Sequence, residues 1–124
     1  MKLLNDLYTI RNRYCGESGY DFTIELNPQH FIYKAHFPGE PITPGVCIMQ
    51  IAKELLEEAL SQPLALSCVK NIKFLRIISP AEVTVLDYSL TRIVCEDGLV
   101  KVQVNVLSGE NLYAKLSLVC QTVA

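Results

Sequence analysis

The stretch Val46–Leu60, V-C-I-M-Q-I-A-K-E-L-L-E-E-A-L, decides the fold of this 124-residue chain. Apolar residues recur every three to four positions along it, and Gln50, one lysine and three glutamates fill a narrow polar stripe. This spacing predicts a single helix that is buried on most sides. Pro41 and Pro44 fix the approach of the chain, so we expect the helix to begin close to Gly45.

The segments around this helix alternate apolar and polar residues, which is the period of a half-buried strand. The pattern is clearest in Leu99–Leu107, L-V-K-V-Q-V-N-V-L, and it returns in Leu112–Cys120. Asp97-Gly98 is a strong signal for a hairpin turn before the first of these strands. We also predict strands at Tyr20–Leu26, Phe31–Ala35, Leu66–Leu75 and Glu82–Val94, and a weaker helix at Leu3–Arg13.

One well-covered helix amid about six antiparallel strands predicts an α+β domain in which a curved sheet wraps around the helix. The length suits a single domain, residues 1–124, and the composition does not shift along the chain. A sheet of this size has open edges, so we expect the chain to dimerise edge to edge.

The composition limits the classes of function. Half of the residues are apolar and the formal net charge is -2, which excludes a disordered chain and the basic field of a nucleic-acid-binding protein. No apolar stretch is long enough to span a membrane and no signal peptide is recognisable, so we expect a soluble cytoplasmic protein. The five cysteines lack metal or disulfide spacing, and we expect the four that lie in apolar runs, Cys47, Cys68, Cys95 and Cys120, to be buried. No phosphate-binding loop or metal-ligand pattern is present, so we expect neither cofactor nor metal.

The residues that lead into the helix carry a specific motif. His36-Phe37-Pro38-Gly39-Glu40-Pro41-Ile42-Thr43-Pro44-Gly45-Val46 resembles the H-F-P-G-x-P-x-x-P-G-V signature of hotdog-fold 3-hydroxyacyl-[acyl carrier protein] dehydratases. A second block, Lys73-Phe74-Leu75-Arg76 followed by Pro80-Ala81-Glu82, is similar to the family's K/R-F-x-R-x-x-x-P-G-D segment, with Ala and Glu in place of Gly and Asp. The resemblance implies a hotdog fold, a curved antiparallel sheet around one central helix.

The resemblance also implies a reaction, the cofactor-free elimination of water from a 3-hydroxyacyl thioester to give a trans-2-enoyl thioester in fatty-acid or related lipid synthesis. His36 is the implied base that removes the C2 proton, since a partly buried imidazole titrates near neutral pH. The backbone N–H groups of Gly45 and Val46 are the implied donors to the thioester carbonyl. The implied substrate-binding turn also includes Phe37, Pro38 and Gly39.

Position 50 departs from the family pattern. The family has Glu or Asp fourteen residues after the histidine, facing the histidine of the other subunit, and this chain has Gln50. A carboxamide can orient a hydroxyl group, but it cannot donate and recover a proton at neutral pH. In one interpretation His36 makes both proton transfers and Gln50 only orients the leaving hydroxyl. In a second, Glu54, one turn further along the helix, is a substitute acid.

Two further interpretations of this substitution are open. In the first, the chain is a non-catalytic acyl-thioester-binding protein or the partner subunit of a dehydratase heterodimer. In the second, the chain catalyses a different acyl-thioester reaction, chiefly thioester hydrolysis, although hotdog thioesterases also place an acidic residue on the central helix.

Partners follow from charge and from the resemblance. Lys70, Lys73 and Arg76 place three positive charges within seven residues, and the resemblance puts them near the tunnel entrance, where an acidic acyl carrier protein would dock. We expect an acyl chain on carrier protein or CoA as the substrate, and a second copy or a homologous subunit as the protein partner. Neither nucleic acid nor membrane insertion is expected. His30 has no such motif around it, so we expect a structural role for it.

Overall fold

The fold is an antiparallel sheet with a helix packed against it. A computed structural model describes residues 2–35 and 39–123, and these form one six-stranded sheet with the order β1-β2-β4-β5-β6-β3. Among the described residues, two helices lie between β2 and β3 in the chain. The strands are β1 Tyr8–Cys15, β2 Gly19–Leu26, β3 Leu64–Phe74, β4 Val85–Glu96, β5 Leu99–Ser108 and β6 Asn111–Thr122, and the helices are α1 Ile32–Ala35 and α2 Gly45–Leu60.

The core lies between the inner face of the curved sheet and α2. The four even-numbered valines of β5, from Val100 to Val106, are at most 2% exposed, whereas Lys101 and Gln103 between them point to solvent. Helix α2 turns its apolar stripe toward this face. Its buried apolar residues are Cys47, Ile48, Ile51, Ala52, Leu55 and Leu56. The α+β hotdog fold predicted from the sequence is therefore confirmed.

Both ends of α2 have local causes. Pro44 is extended, with φ -61° and ψ 146°, and its carbonyl accepts from the N–H groups of Cys47 and Ile48 at 3.0 and 3.2 Å, so the helix begins at Gly45 as predicted. The helix ends at Leu60, and Ser61 caps it: this residue is in the left-handed region with φ 52°, and its N–H donates to the carbonyl of Glu57.

The predicted hairpin and its two strands are confirmed. Asp97 and Gly98 both have positive φ, 51° and 77°, as the tight turn between β4 and β5 requires. β5 and β6 pair along their length, with Val104 opposite Leu116 in the middle. The alternation in these strands works as a predictor because one face of each is in the core and the other is in water.

The predicted helix at Leu3–Arg13 is wrong. Residues from Tyr8 onward form strand β1, in which Tyr8 lies opposite Leu26 and Ile10 lies opposite Ile24. Only two apolar residues of this strand face the core, and Arg11 lies at a register shift, so the period of two is too short to show in the sequence. Pairing with β2 decides the conformation.

The predicted strand at Phe31–Ala35 is also wrong, because most of it forms the short helix α1. The N–H of Ile32 donates to Nδ1 of His30 at 3.1 Å, and the N–H of Tyr33 donates to the His30 carbonyl at 3.1 Å. Tyr33 is buried, and its hydroxyl lies 2.9 Å from Oγ1 of Thr43. These local hydrogen bonds replace a strand ladder, and the sixth strand of the sheet is β1 instead.

The expectation of buried cysteines is wrong for two of the four that lie in apolar runs, Cys68 and Cys95. Cys47 and Cys120 are buried, but Cys15, Cys68 and Cys95 are exposed. Cys68 is in the edge strand β3, and Cys15 and Cys95 lie at the ends of β1 and β4, near the turns. Apolar neighbours in the sequence do not bury a residue at an edge or a strand end. Within the described part of the chain, no helix combines the length and apolar character needed to cross a membrane.

Candidate functional site

The first turn of α2 offers two backbone donors. The N–H groups of Gly45 and Val46 precede the first intrahelical bonds, and neither has an acceptor among residues 2–35 and 39–123. The side chain of Val46 is 57% exposed, so this end of the helix faces away from the core. The positive end of the helix dipole adds to the attraction for a developing negative charge here.

A cavity of about 270 Å³ lies beside this helix end. Its lining includes Gly45, Ile48 and Phe74 and is largely apolar, which suits an acyl chain. The ring of Phe74 packs against Gly45 so closely that a Cβ at position 45 would lie 2.8 Å from Phe74 Cζ. Glycine at this position therefore allows the ring, the backbone donors and the cavity to lie together.

A second, larger cavity of about 600 Å³ opens along the chain that precedes α2. Gly39, Glu40 and Glu82 line it, together with Arg76 and Tyr113. Arg76 also lines the smaller apolar cavity, so its guanidinium group belongs to a residue at the border between the two. Polar and apolar residues both line this cavity, whereas the lining of the cavity beside Gly45 is mostly apolar.

Gln50 lies on α2 one turn after Val46 and is partly buried. Its Nε2 donates to Oε2 of Glu54 at 2.8 Å. The residue that replaces the family acid therefore has its amide nitrogen engaged by a neighbour on the same helix.

Glu54 is only 5% exposed and accepts three further hydrogen bonds. The backbone N–H groups of Leu3 and Leu4 donate to its two oxygens at 2.7 and 2.8 Å, and the hydroxyl of Tyr8 donates at 3.0 Å. Burial, and then the charge of Glu54, raise the pKa of Tyr8, so its phenol keeps the proton that it donates. These hydrogen bonds hold the N-terminal segment against α2. Because they occupy both carboxylate oxygens of Glu54, they argue against this residue as a substitute acid.

The other candidate groups are structural or lie elsewhere. Nδ1 of His30 accepts the N–H of Ile32, so Nε2 carries the proton and donates to Asp6 at 3.1 Å. Burial raises the pKa of the Cys47 thiol, which makes it a poor nucleophile. His36, Phe37 and Pro38 lie outside the described residues. Among residues 2–35 and 39–123, no group of His, Cys, Asp or Glu side chains is arranged to hold a metal ion.

The three cations proposed to dock a carrier protein do not share one cavity. Lys70 and Lys73 lie on the exposed edge strand β3, and Lys73 is opposite Lys115 of β6. Lys73 and Lys115 line a cavity of about 230 Å³, separate from the cavity that Arg76 lines beside Gly45.

Comparison of the sequence with family models decides the family. The model for ApeI-like dehydratases, described as ApeI dehydratase, matches residues 12–111. The chain belongs to the ApeI-like dehydratase family.

Individual relatives of this ApeI-like chain are more distant. A 3-hydroxyacyl-[acyl-carrier-protein] dehydratase FabZ of Clostridium acetobutylicum is 30% identical over 77 residues, a match that covers 56% of this chain and 55% of the relative. The matched region thus spans about half the length of that relative.

Two solved structures have the same fold as the ApeI-like chain. A protein of Erwinia carotovora subsp. atroseptica superimposes with a TM-score of 0.73 at 19% identity, covering 94% of this chain and 98% of that one. The dehydratase heterocomplex ApeI:P from Xenorhabdus doucetiae gives a TM-score of 0.66 at 15% identity, covering 90% and 96%.

Two features of the ApeI-like site were not found from the sequence. The hydrogen bonds to Glu54 from Leu3, Leu4 and Tyr8 span 46 to 51 residues, and the sequence carries no signal for them. The contact of Phe74 with Gly45 also joins residues that are far apart in the sequence, and no sequence pattern signals it. The i,i+4 spacing of Gln50 and Glu54 was visible, but it does not say which of the two faces the N-terminal segment.

Proposed function

We propose that this ApeI-like chain is a subunit of a 3-hydroxyacyl thioester dehydratase. The observation that carries the proposal is the start of α2, where the N–H groups of Gly45 and Val46 are without acceptors among the described residues, beside an apolar cavity. The H-F-P-G motif that carries His36 ends six residues before Gly45 in the sequence, so the base and the carbonyl donors come from one continuous segment.

The chemistry follows from these groups. The carbonyl oxygen of the thioester accepts from the N–H groups of Gly45 and Val46, which favours the negative charge that develops there when the C2 proton leaves. Neutral His36 takes the C2 proton. The C3–O bond then breaks, and the hydroxide leaves as water with the proton that His36 returns, so atoms and charge balance.

Gln50 has a supporting role in this scheme. A carboxamide cannot supply the proton, so it orients the leaving hydroxyl while His36 makes both transfers. The loss of an independent acid lowers the rate, since general acid catalysis contributes about 10²–10⁴-fold in enzymes.

The proposed substrate is an acyl chain on acyl carrier protein, with a CoA thioester as the alternative. The Clostridium relative is named as an enzyme of acyl-carrier-protein substrates. Arg76, beside the apolar cavity, and the exposed Lys70 and Lys73 are the cations that we propose contact an acidic carrier protein. The formal charge of the chain is negative, so this docking depends on local charge.

A second candidate function is that of one subunit in a dehydratase heterodimer. Two observations favour it: Gln50 carries no carboxylate, and the Xenorhabdus structure is that of a dehydratase heterocomplex. In such a dimer a homologous subunit supplies a helix Glu or Asp, which faces His36 of this chain. Only one of the two sites then combines a histidine with an acid.

Hydration of a crotonyl thioester tests the proposed reaction. The purified chain is given crotonyl-CoA and crotonyl-carrier protein, and the loss of enoyl absorbance is followed together with free thiol. Loss of absorbance without thiol release supports the dehydratase. Thiol release identifies a thioesterase, and tight binding with neither signal identifies a non-catalytic acyl-binding protein.

Subunit mixing tests the heterodimer. The wild-type chain is mixed with the double variant His36→Ala/Gln50→Glu, which lacks the base but carries an acid at position 50. If the site needs an acid from the other subunit, mixed dimers gain at least about tenfold in activity over either chain alone. Activity that only averages the two parents contradicts the heterodimer arrangement.

A further inference from the structure

Four hydrogen-bond donors converge on the buried carboxylate of Glu54. They are the N–H of Leu3 at 2.7 Å, the N–H of Leu4 at 2.8 Å, the hydroxyl of Tyr8 at 3.0 Å and Nε2 of Gln50 at 2.8 Å. We name these groups the Glu54 cluster. The donors use both carboxylate oxygens, so Glu54 acts as an acceptor on every side.

This cluster fixes which end of the Gln50 amide faces Glu54. A carboxylate accepts hydrogen bonds, and only the NH₂ end of a carboxamide can donate one. Turning the amide over would bring its carbonyl oxygen against Oε2 of Glu54, which already accepts from Leu3. The orientation with Nε2 toward Glu54 is thus the one that the network allows.

We propose that Glu54 is a positioning residue that directs the carbonyl oxygen of Gln50 toward the 3-hydroxyl group of the substrate. This inference rests on the proposed function. Gln50 then accepts the hydrogen of the substrate O–H, and the lone pairs of that hydroxyl oxygen point to the group that protonates it. The pair thereby selects acyl thioesters that carry a hydrogen-bond donor at C3.

The pair also accounts for the amide at position 50. A glutamate there would put a second carboxylate where Nε2 of Gln50 lies, 2.8 Å from Oε2 of Glu54. Two carboxylates at that distance cannot both be charged, and one of them would hold a proton. Glutamine at position 50 and glutamate at position 54 therefore fit together as donor and acceptor.

Binding of two CoA thioesters tests the proposal without requiring turnover. The dissociation constants of 3-hydroxybutyryl-CoA and butyryl-CoA are measured by calorimetry for the wild type and for Glu54→Gln. We expect the wild type to prefer the hydroxylated ligand by about tenfold, the value of one hydrogen bond, and Glu54→Gln to reduce this preference below about threefold.

Glu57→Gln is the matched control. Glu57 lies on the same helix, accepts from the backbone N–H of Leu64 at 2.8 Å and from Lys53 at 3.2 Å, and contributes no group to the Glu54 cluster. It should keep the wild-type preference. If Glu54→Gln does not fold, Gln50→Leu removes the proposed acceptor and leaves Glu54 with its backbone donors, and it should lose the preference.

The outcomes separate this inference from the proposed function. The positioning role of Glu54 is overturned if the wild type and Glu54→Gln prefer 3-hydroxybutyryl-CoA equally, or if the wild type has no preference for it. It is also overturned if Gln50→Leu keeps the wild-type preference. Turnover of crotonyl-CoA is measured on the same samples. A preference that depends on Glu54 in a chain without turnover supports the positioning role and contradicts the dehydratase activity.

Discussion

At the scale of single residues, the side chain of Glu54 is only 5% exposed, because the N-terminal segment folds over it and donates two backbone hydrogen bonds to its carboxylate. A buried carboxylate is costly unless its oxygens are satisfied, and the cluster satisfies them. The same contacts that disfavour it as an acid make it important for stability.

Replacing Glu54 by alanine should therefore destabilise the protein more than the same change at Glu57. The buried N–H of Leu3, and that of Leu4, would lose their acceptor, and we expect the free energy of unfolding to fall by about 3 kcal/mol. Glu57→Ala loses contacts that are only partly buried and should cost about 1 kcal/mol. Urea denaturation measures both, and equal losses would contradict a special role for Glu54.

Gly45 is the second residue for which the structure gives a sharp expectation. A Cβ at this position would lie 2.8 Å from Phe74 Cζ, and the ring is half exposed, so it can move aside. We expect Gly45→Ala to change thermal stability little and to lower kcat/KM for crotonyl thioester hydration by about tenfold, since the displaced ring changes the cavity and the carbonyl position.

Phe74→Ala provides the control for this effect. In the Phe74→Ala background the added methyl group meets no ring, so Gly45→Ala should cost less than about threefold there. The same loss in both backgrounds would show that the ring contact is not the cause.

At the scale of elements, the sequence predicts well wherever one face of an element is buried along its whole length. Helix α2 and strands β5 and β6 meet this condition, and the sequence places them to within one or two residues. β1 and α1 do not meet this condition. β1 places only Tyr8 and Ile10 opposite apolar residues of β2, and α1 is stabilised by local hydrogen bonds to His30. The cluster around Glu54 depends on β1 and the turn before it, so it was missed together with them.

Strand β3 is the element that we expect to form the subunit interface. It lies at one end of the strand order and pairs with β6 on its other side, and Leu66 and Val69 are each 40% exposed. An apolar edge strand favours pairing with a second chain. We expect Val69→Lys to shift the protein toward monomer, raising the dimer dissociation constant by at least about tenfold in sedimentation analysis.

Tyr14→Lys is the control for the interface. Tyr14 is 63% exposed on β1, the strand at the opposite edge of the sheet. A charge there should leave the dimer intact. A larger effect of Tyr14→Lys than of Val69→Lys would assign the interface to β1 instead.

At the scale of the whole molecule, buried acids with raised pKa values set how stability changes at high pH. Burial raises the pKa of Cys120 from 9.0 to about 11, and it raises those of Cys47 and the phenols of Tyr8 and Tyr88. The unfolded chain loses these protons at lower pH than the folded chain. Deprotonation therefore favours unfolding, and stability is lost as the pH rises above about 9.

We expect the urea concentration at the unfolding midpoint to decrease as the pH is raised from neutral to about 10.5. The decrease should be smaller for Cys120→Val, which removes one of the buried thiols. The measurement is urea denaturation across this pH range, with a reducing agent present because three cysteines are exposed. A midpoint that stays constant or rises above pH 9 would contradict the assignment of these groups as buried and protonated.

We propose that this ApeI-like chain eliminates water from 3-hydroxyacyl thioesters with His36 as the base, although position 50 carries an amide. Hydration of crotonyl-carrier protein by the wild type and by His36→Ala, followed as loss of enoyl absorbance, is the decisive measurement. We expect turnover in the wild type and a loss of at least about 10²-fold in His36→Ala. Turnover that His36→Ala retains would contradict it.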